Sequence, residues 1–154
     1  MVEIKPINFD ELPEFSLNLK AADVLEIKAS YSCKNLDAIE DTISNSDEAH
    51  AFYEDGQLIG VFGVEGRSNG AVVWMVSTDA ISDCGLSFYK QAMNVVSAWS
   101  AKYGLLWNYV YSGNTKSLKW LEHLGFVKHA TVESYGAHNA PYFCMVLNPI
   151  EAGG

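Results

Sequence analysis

The sequence is short of cysteine, short of cations and without a long apolar run, and each shortage removes a class of protein. Its three cysteines, Cys33, Cys84 and Cys144, are scattered and form no CxxC pair. That spacing argues against a disulfide framework and a thiolate zinc site, and it fits a reducing compartment. His50, His123, His129 and His138 also lack metal-ligand spacing, so no metal is expected. Lys and Arg number 10 against 19 Asp and Glu, a formal net charge of −9. Such a balance argues against a surface for DNA or RNA phosphates. It leaves room for a small anionic ligand, because backbone N–H groups at a helix start hold phosphate without lysine. No stretch approaches the roughly 18 apolar residues of a membrane span, and the opening MVEIKPINF has no apolar signal core. No membrane association is expected, and a cytoplasmic setting is. Repeats, low-complexity tracts and linkers are absent from the pattern.

What is present reads as a packed domain. Hydrophobic residues make up 49% and charged residues 19% of 154, a balance that suits a core rather than disorder. One domain over residues 1–150 is expected, with 151–154 a frayed tail. The clearest pattern is 104–126, GLLWNYVYSGNTKSLKWLEHLGF. Leu105, Leu106, Trp107, Tyr109, Val110 and Tyr111 have strand composition. Gly113-Asn114-Thr115 breaks the run, and Leu118, Leu121 and Leu124 then recur at helical spacing. Asn114 or Thr115 can cap that helix, and Gly125 can stop it.

The rest falls into order around this stretch. A short strand ends near Pro6, and Pro13 is expected to break any regular element in 8–20. Residues 21–31 fit a helix with Val24, Ile27 and Tyr31 on one face and Asp23, Glu26 and Lys28 toward water. Residues 36–43 fit a second helix, capped by Asn35. Strands at 49–54 and 57–65 flank Asp55-Gly56, a strong hairpin signal. After the turn 66–70, the run AVVWMVS at 71–77 reads as a strand covered on both faces. Residues 78–85 read as a loop. The longest helix, 86–103, carries an apolar stripe of Leu86, Tyr89, Met93, Val96 and Trp99 and ends at Gly104. The strand after it should pair in parallel with 71–77. Strands at 127–134 and 142–147 close the chain. The fold class is α/β: a sandwich with a central mixed, mostly antiparallel twisted sheet flanked by helices.

This order resembles the GNAT acyltransferase fold. Asn114, Ser117, Leu124, Gly125 and Phe126 match that family's second motif, Asn-x-x-Ser/Ala followed by a helix ending Leu-Gly-Phe. The resemblance implies acetyl-CoA or CoA as cofactor. Val76, Ser77 and Thr78 would offer backbone groups to its arm, Gly85 would lie in the pyrophosphate loop, and Asn114 and Ser117 would sit beside the thioester. The phrases LWNYVYSGNTKSLKWLEHLGFVKH and WMVSTDAI are also similar to a family of short-tailed, T7-like phages, described as internal virion protein A or as GNAT-like proteins. That similarity implies virion or host proteins as partners, in the host cytoplasm or with the particle.

The departures bear on mechanism. The region 81–87, ISDCGLS, keeps only Gly85 of the family's pyrophosphate loop, and Asp83 puts a negative charge there. Leu121 stands where many GNAT enzymes place the tyrosine that reprotonates the departing thiolate. Acyl transfer to an amine needs a base or a bound water. Candidates are Asp79 and Glu65 at strand ends, with Tyr109 and Tyr111 as donors on the neighbouring strand. Each also has a plainer reading, a solvated acid or a core tyrosine with a wet hydroxyl. Asn114 and Ser117 equally suit turn and cap chemistry. Two functions follow: a virion-assembly or host-interaction protein that keeps the fold without the chemistry, or an acetyl-CoA-dependent N-acetyltransferase. The eroded loop and Leu121 favour the first.

Overall fold

Asp55 and Gly56 turn the chain with φ of 50° and 81°, the two positive angles that a two-residue hairpin demands. They join two strands of a sheet in a computed structural model that describes residues 2–30, 34–135 and 140–149. In chain order the elements are β1 Val2–Lys5, a 3₁₀ turn Phe9–Glu11, α1 Leu12–Ser16, α2 Ala21–Ser30, α3 Asn35–Asn45, β2 Glu48–Glu54 and β3 Gln57–Arg67. Then come β4 Gly70–Ser77, a 3₁₀ turn Asp79–Asp83, α4 Leu86–Tyr103, β5 Leu106–Tyr111, α5 Thr115–His123, β6 Val127–Tyr135 and β7 Ala140–Leu147. The sheet has seven strands in the order β1-β2-β3-β4-β5-β7-β6. Among the described residues only β4 and β5 run parallel; every other neighbouring pair is antiparallel.

Alternation along the strands feeds two cores, one on each face. On one face Val64, Val73, Leu106 and Val110 meet Phe88, Ala92, Val96 and Trp99 of α4, with Trp120 and Leu121 of α5. On the other, Ala51, Tyr53 and Val61 meet Leu12 and Phe15 of α1 and Ile39 of α3. The edge strand β6 slips register twice against β7, between Lys128 and Ala130 and between Val132 and Tyr135.

Several local expectations shift. The buried side of α4 is Phe88, Ala92, Val96 and Trp99, while Leu86 and Met93 of the expected stripe are exposed. Phe88 beside Tyr89 offers the same periodicity one residue earlier, and the ring without a hydroxyl takes the core. Pro13 does not break structure; it opens α1, where its missing N–H had no helical partner to lose. The cap position of α3 is Lys34, not Asn35, and no side chain bonds there. Within 78–85 the chain forms the 3₁₀ turn rather than open loop. Tyr31, Cys33 and His138 lie outside the described residues, as do 136–139 and 150–154.

The feature that positions the site is a divergence at the sheet's centre. Strands β4 and β5 pair only at Ala71↔Leu106 and Val72↔Trp107, and beyond that point they separate. The paired end is pinned by Gly70, whose φ is 146° and where an added Cβ would lie 2.2 Å from the Leu105 carbonyl oxygen. Ala71 N–H bonds to that same oxygen at 2.8 Å. Gly70→Ala should therefore cost about 2 kcal/mol or more, from backbone strain plus displacement of Leu105. Gly85→Ala, where a Cβ meets nothing within 4 Å, should change stability little. Urea denaturation of the two variants checks this; similar midpoints would overturn it.

Candidate functional site

Where two buried strands separate, their facing N–H and C=O groups lose ladder partners and must find others. In this protein the residues around the start of α2 supply them. Leu19 bridges to Thr78, and Lys20 N–H donates to the Ser77 carbonyl at 3.0 Å. Ser77 N–H donates to Asp23 Oδ2 at 2.9 Å. On the other side of the gap, Tyr111 N–H donates to Glu26 Oε1 at 2.9 Å. Asp23 thus holds the end of β4 and Glu26 the end of β5.

The turn after β5 completes the cluster. Asn114 Nδ2 donates to Asp23 Oδ1 at 3.0 Å and to Glu26 Oε1 at 3.1 Å. Its Oδ1 accepts the Ser117 N–H at 3.5 Å and so caps α5. Lys20 Nζ donates to Asp23 Oδ2 at 2.5 Å and to Ser77 Oγ at 3.2 Å. Lys20, Asp23, Ser77 and Asn114 are all buried. Spacing three apart puts Lys20, Asp23 and Glu26 on one side of the helical turn. Burial, the largest influence, raises the Glu26 carboxyl from 4.5 to about 7. Neighbouring Asp23 adds to the rise, while the bonds from Asn114 and Tyr111 and the charge of Lys20 oppose it.

Two hollows adjoin the cluster. A cavity of about 60 Å³ lies at the divergence, with Glu26, Met75, Asn108, Val110, Ser117 and Trp120 in its wall. An open groove of about 340 Å³ shares Met75, Ser117 and Trp120 with it and adds Lys116, Lys119 and His123. Trp120 stands at their common wall, its ring 4.5 Å from that of Phe88 and 4.2 Å from that of Tyr89, centroid to centroid.

The structure brings Ser77, Asn114 and Ser117 together, with the backbone of Tyr111. The other expected site residues stand apart. Val76 packs on the opposite face. Thr78 caps the following 3₁₀ turn through its hydroxyl, and its N–H bonds to Ile59 O at 2.9 Å. Asp79 is exposed and paired with Lys116 at 3.1 Å, outside the cluster. Gly85 is exposed at the start of α4. Glu65 pairs with Arg67 at 2.6 Å, and Leu121 is buried in the core. The Tyr111 ring lies tilted against Tyr142, centroids 5.8 Å apart.

Lys20, Asp23 and Glu26 were not among the expected site residues, and Asp23 and Glu26 were expected to face water. Leu25, which lies between them, is exposed, so the helix turns acids inward and a leucine outward, against what composition alone suggests.

Among solved structures, spermidine N-acetyltransferase from Vibrio cholerae, in complex with CoA and spermine, matches with a TM-score of 0.72 at 11% identity, over 99% of this chain and 98% of that one. An acetyltransferase of the GNAT family from Bacillus anthracis gives 0.71 at 13% identity, over 97% and 96%. The fold is that of the GNAT acetyltransferases. The ribosomal-protein-S18-alanine N-acetyltransferase from Escherichia coli shares this GNAT fold, with a TM-score of 0.65 at 14% identity over 96% and 94% of the two chains. A sequence family described as Bacteriophage T7, probable scaffold protein Gp13, matches residues 57–132, from β3 into β6. No curated protein matches the chain in sequence.

The raised Glu26 sets a pH dependence. Its folded form keeps a proton that the unfolded chain has already lost, so stability is fully present below about pH 4.5 and falls as pH rises to about 7. The shift from 4.5 to about 7 corresponds to about 3 kcal/mol. Glu26→Gln should remove that fall and be the more stable form at pH 8. Chemical denaturation of both proteins at pH 5 and pH 8 measures it; parallel pH profiles would refute the assignment.

Proposed function

We propose that this chain is a GNAT-fold phage protein serving virion assembly or host interaction, in the host cytoplasm or with the particle, and that it does not transfer acyl groups. One observation carries the reading: the opening between β4 and β5 is braced from within. An acyl carrier with an amide-rich arm would add itself to a free strand edge by main-chain hydrogen bonds. Here the Ser77 N–H is held by Asp23, the Ser77 carbonyl by Lys20 N–H, and the Asn114 amide by both carboxylates. The residues present in the opening therefore do not fit the arm. The start of α4 is no better suited to phosphates, with exposed Asp83 before Gly85 and no side-chain cap. Similarity of residues 57–132 to a phage family described as a probable scaffold protein supports the assembly role. Its partners would be proteins of the particle or of the host.

A second reading, acyl transfer to an amine, is favoured by a different observation. Glu26, held at about 7 in the cavity wall, suits a group that takes a proton from an attacking amine. The lysines of the adjacent groove suit an anionic ligand, and acetyl-CoA is the one the fold suggests.

Thermal denaturation separates the two. A ligand that binds only the folded state at about 100 times its Kd adds about 2.7 kcal/mol. Millimolar acetyl-CoA should leave the melting temperature unchanged, with no thiol released on adding polyamines or lysine. A clear rise with thiol release would establish the second reading, and Glu26→Gln should then abolish turnover. For the assembly role, deletion of the coding sequence should lower the burst size or alter particle composition by mass spectrometry; normal particles in normal number would overturn it.

A further inference from the structure

Helix α2 is held to the sheet by an unusual balance of forces. Its buried side chains, among those described, are Asp23 and Ile27 only. Ordinary surface helices are anchored by an apolar stripe, and here much of the anchoring falls to hydrogen bonds between carboxylates and the ends of β4 and β5.

Those bonds depend on charge. Asp23 and Glu26 converge on one amide, Asn114 Nδ2, at 3.0 and 3.1 Å. The one ammonium in the cluster, Lys20, bonds to Asp23 and Ser77. Among the described residues, no cation is bonded to Glu26. From the strands and from the turn before α5 it faces only neutral groups, the Tyr111 N–H and the Asn114 amide; the charges near it are Asp23 and Lys20 of its own segment. An ionised, half-buried Glu26 thus places a second negative charge beside the buried Asp23. Moving α2 outward relieves it by returning the carboxylate to water.

We propose that α2 is a proton-operated latch on the β4–β5 opening, closed while the Glu26 carboxyl is protonated and released as it ionises. Release frees Tyr111 N–H first, then Asn114 and Ser77, and joins the small cavity to the lysine-lined groove. The latch goes beyond the proposed function and holds whether or not any carrier enters the opening. It gives the site a reason to respond to pH near neutrality, where Glu26 changes charge.

Hydrogen exchange of the protein without ligand tests it. A carboxyl at about 7 when latched and in its ordinary range when free should make opening about tenfold more frequent at pH 8 than at pH 6. After correction for the intrinsic pH dependence of exchange, protection of the Tyr111 and Ser77 amides should fall by about that factor. Glu26→Gln should show no such fall. Equal protection at both pH values, or an undiminished fall in the variant, overturns the latch. Should the variant not fold, the Tyr111 amide resonance of the unaltered protein decides: it should titrate with a midpoint near 7, with Ser77 following, and a flat trace overturns the proposal. Since no acetyl-CoA is present, failure here is distinct from failure of the functional reading.

Discussion

A buried main-chain N–H must be bonded, and a sheet that opens at its centre creates several with no strand to bond them. The pairing of β4 with β5 stops after two residue pairs, and much else follows from that. The segment Leu19–Lys20 bonds to the free edge of β4. Asp23 is drawn into a buried position and Glu26 into a half-buried one, which carboxylates seldom take. Lys20 follows as the counter-charge, since a buried anion without a partner would cost several kcal/mol. Asn114, at the turn leaving β5, sits between both acids and fixes their spacing. Removing any one member leaves another unsatisfied, so the bonds of the cluster support one another.

The same residues carry two burdens. Asn114 starts α5 by capping it, as turn chemistry would have it, and its amide also ties the acids of α2. Ser117 lies under that cap and lines both hollows. In the motif that resembles the GNAT family's, the Asn114 side chain is thus engaged by internal bonds while Ser117 still faces the hollows. Trp120, buried against Phe88 and Tyr89, fills space between α4 and α5 with an aromatic ring. Around this centre stands a GNAT-like fold, and the groups at its middle are bonded to one another.

Much of the scaffold was legible in the sequence because its signals are local. Asp55-Gly56 requires a hairpin by its backbone angles, the run 71–77 requires cover on both faces, and Gly104 and Gly125 mark helix ends, with φ of 85° and 98°. Along α4 the pattern places Val96 and Trp99 correctly and misses Phe88, since Phe88 and Tyr89 are both large and adjacent, and periodicity alone does not choose between them. The brace was illegible for a deeper reason. Lys20, Asp23 and Glu26 are charged, and charged residues default to solvent. What draws them inward is a gap between strands far away in the chain, with Asn114 91 residues from Asp23. Pattern within a helix does not report such a demand.

The slipped edge of the sheet has its own bearing on how this molecule meets others. An unbroken edge strand is a template on which another chain can add by main-chain bonds alone. Strand β6 occupies one edge and loses register with β7 in two places, and each irregularity bends the strand and strengthens its twist. That margin presents a broken row of donors and acceptors, ill-suited to indiscriminate stacking of copies into fibres. At that margin the cheapest form of self-association is hindered, and recognition there falls to side-chain shape and charge.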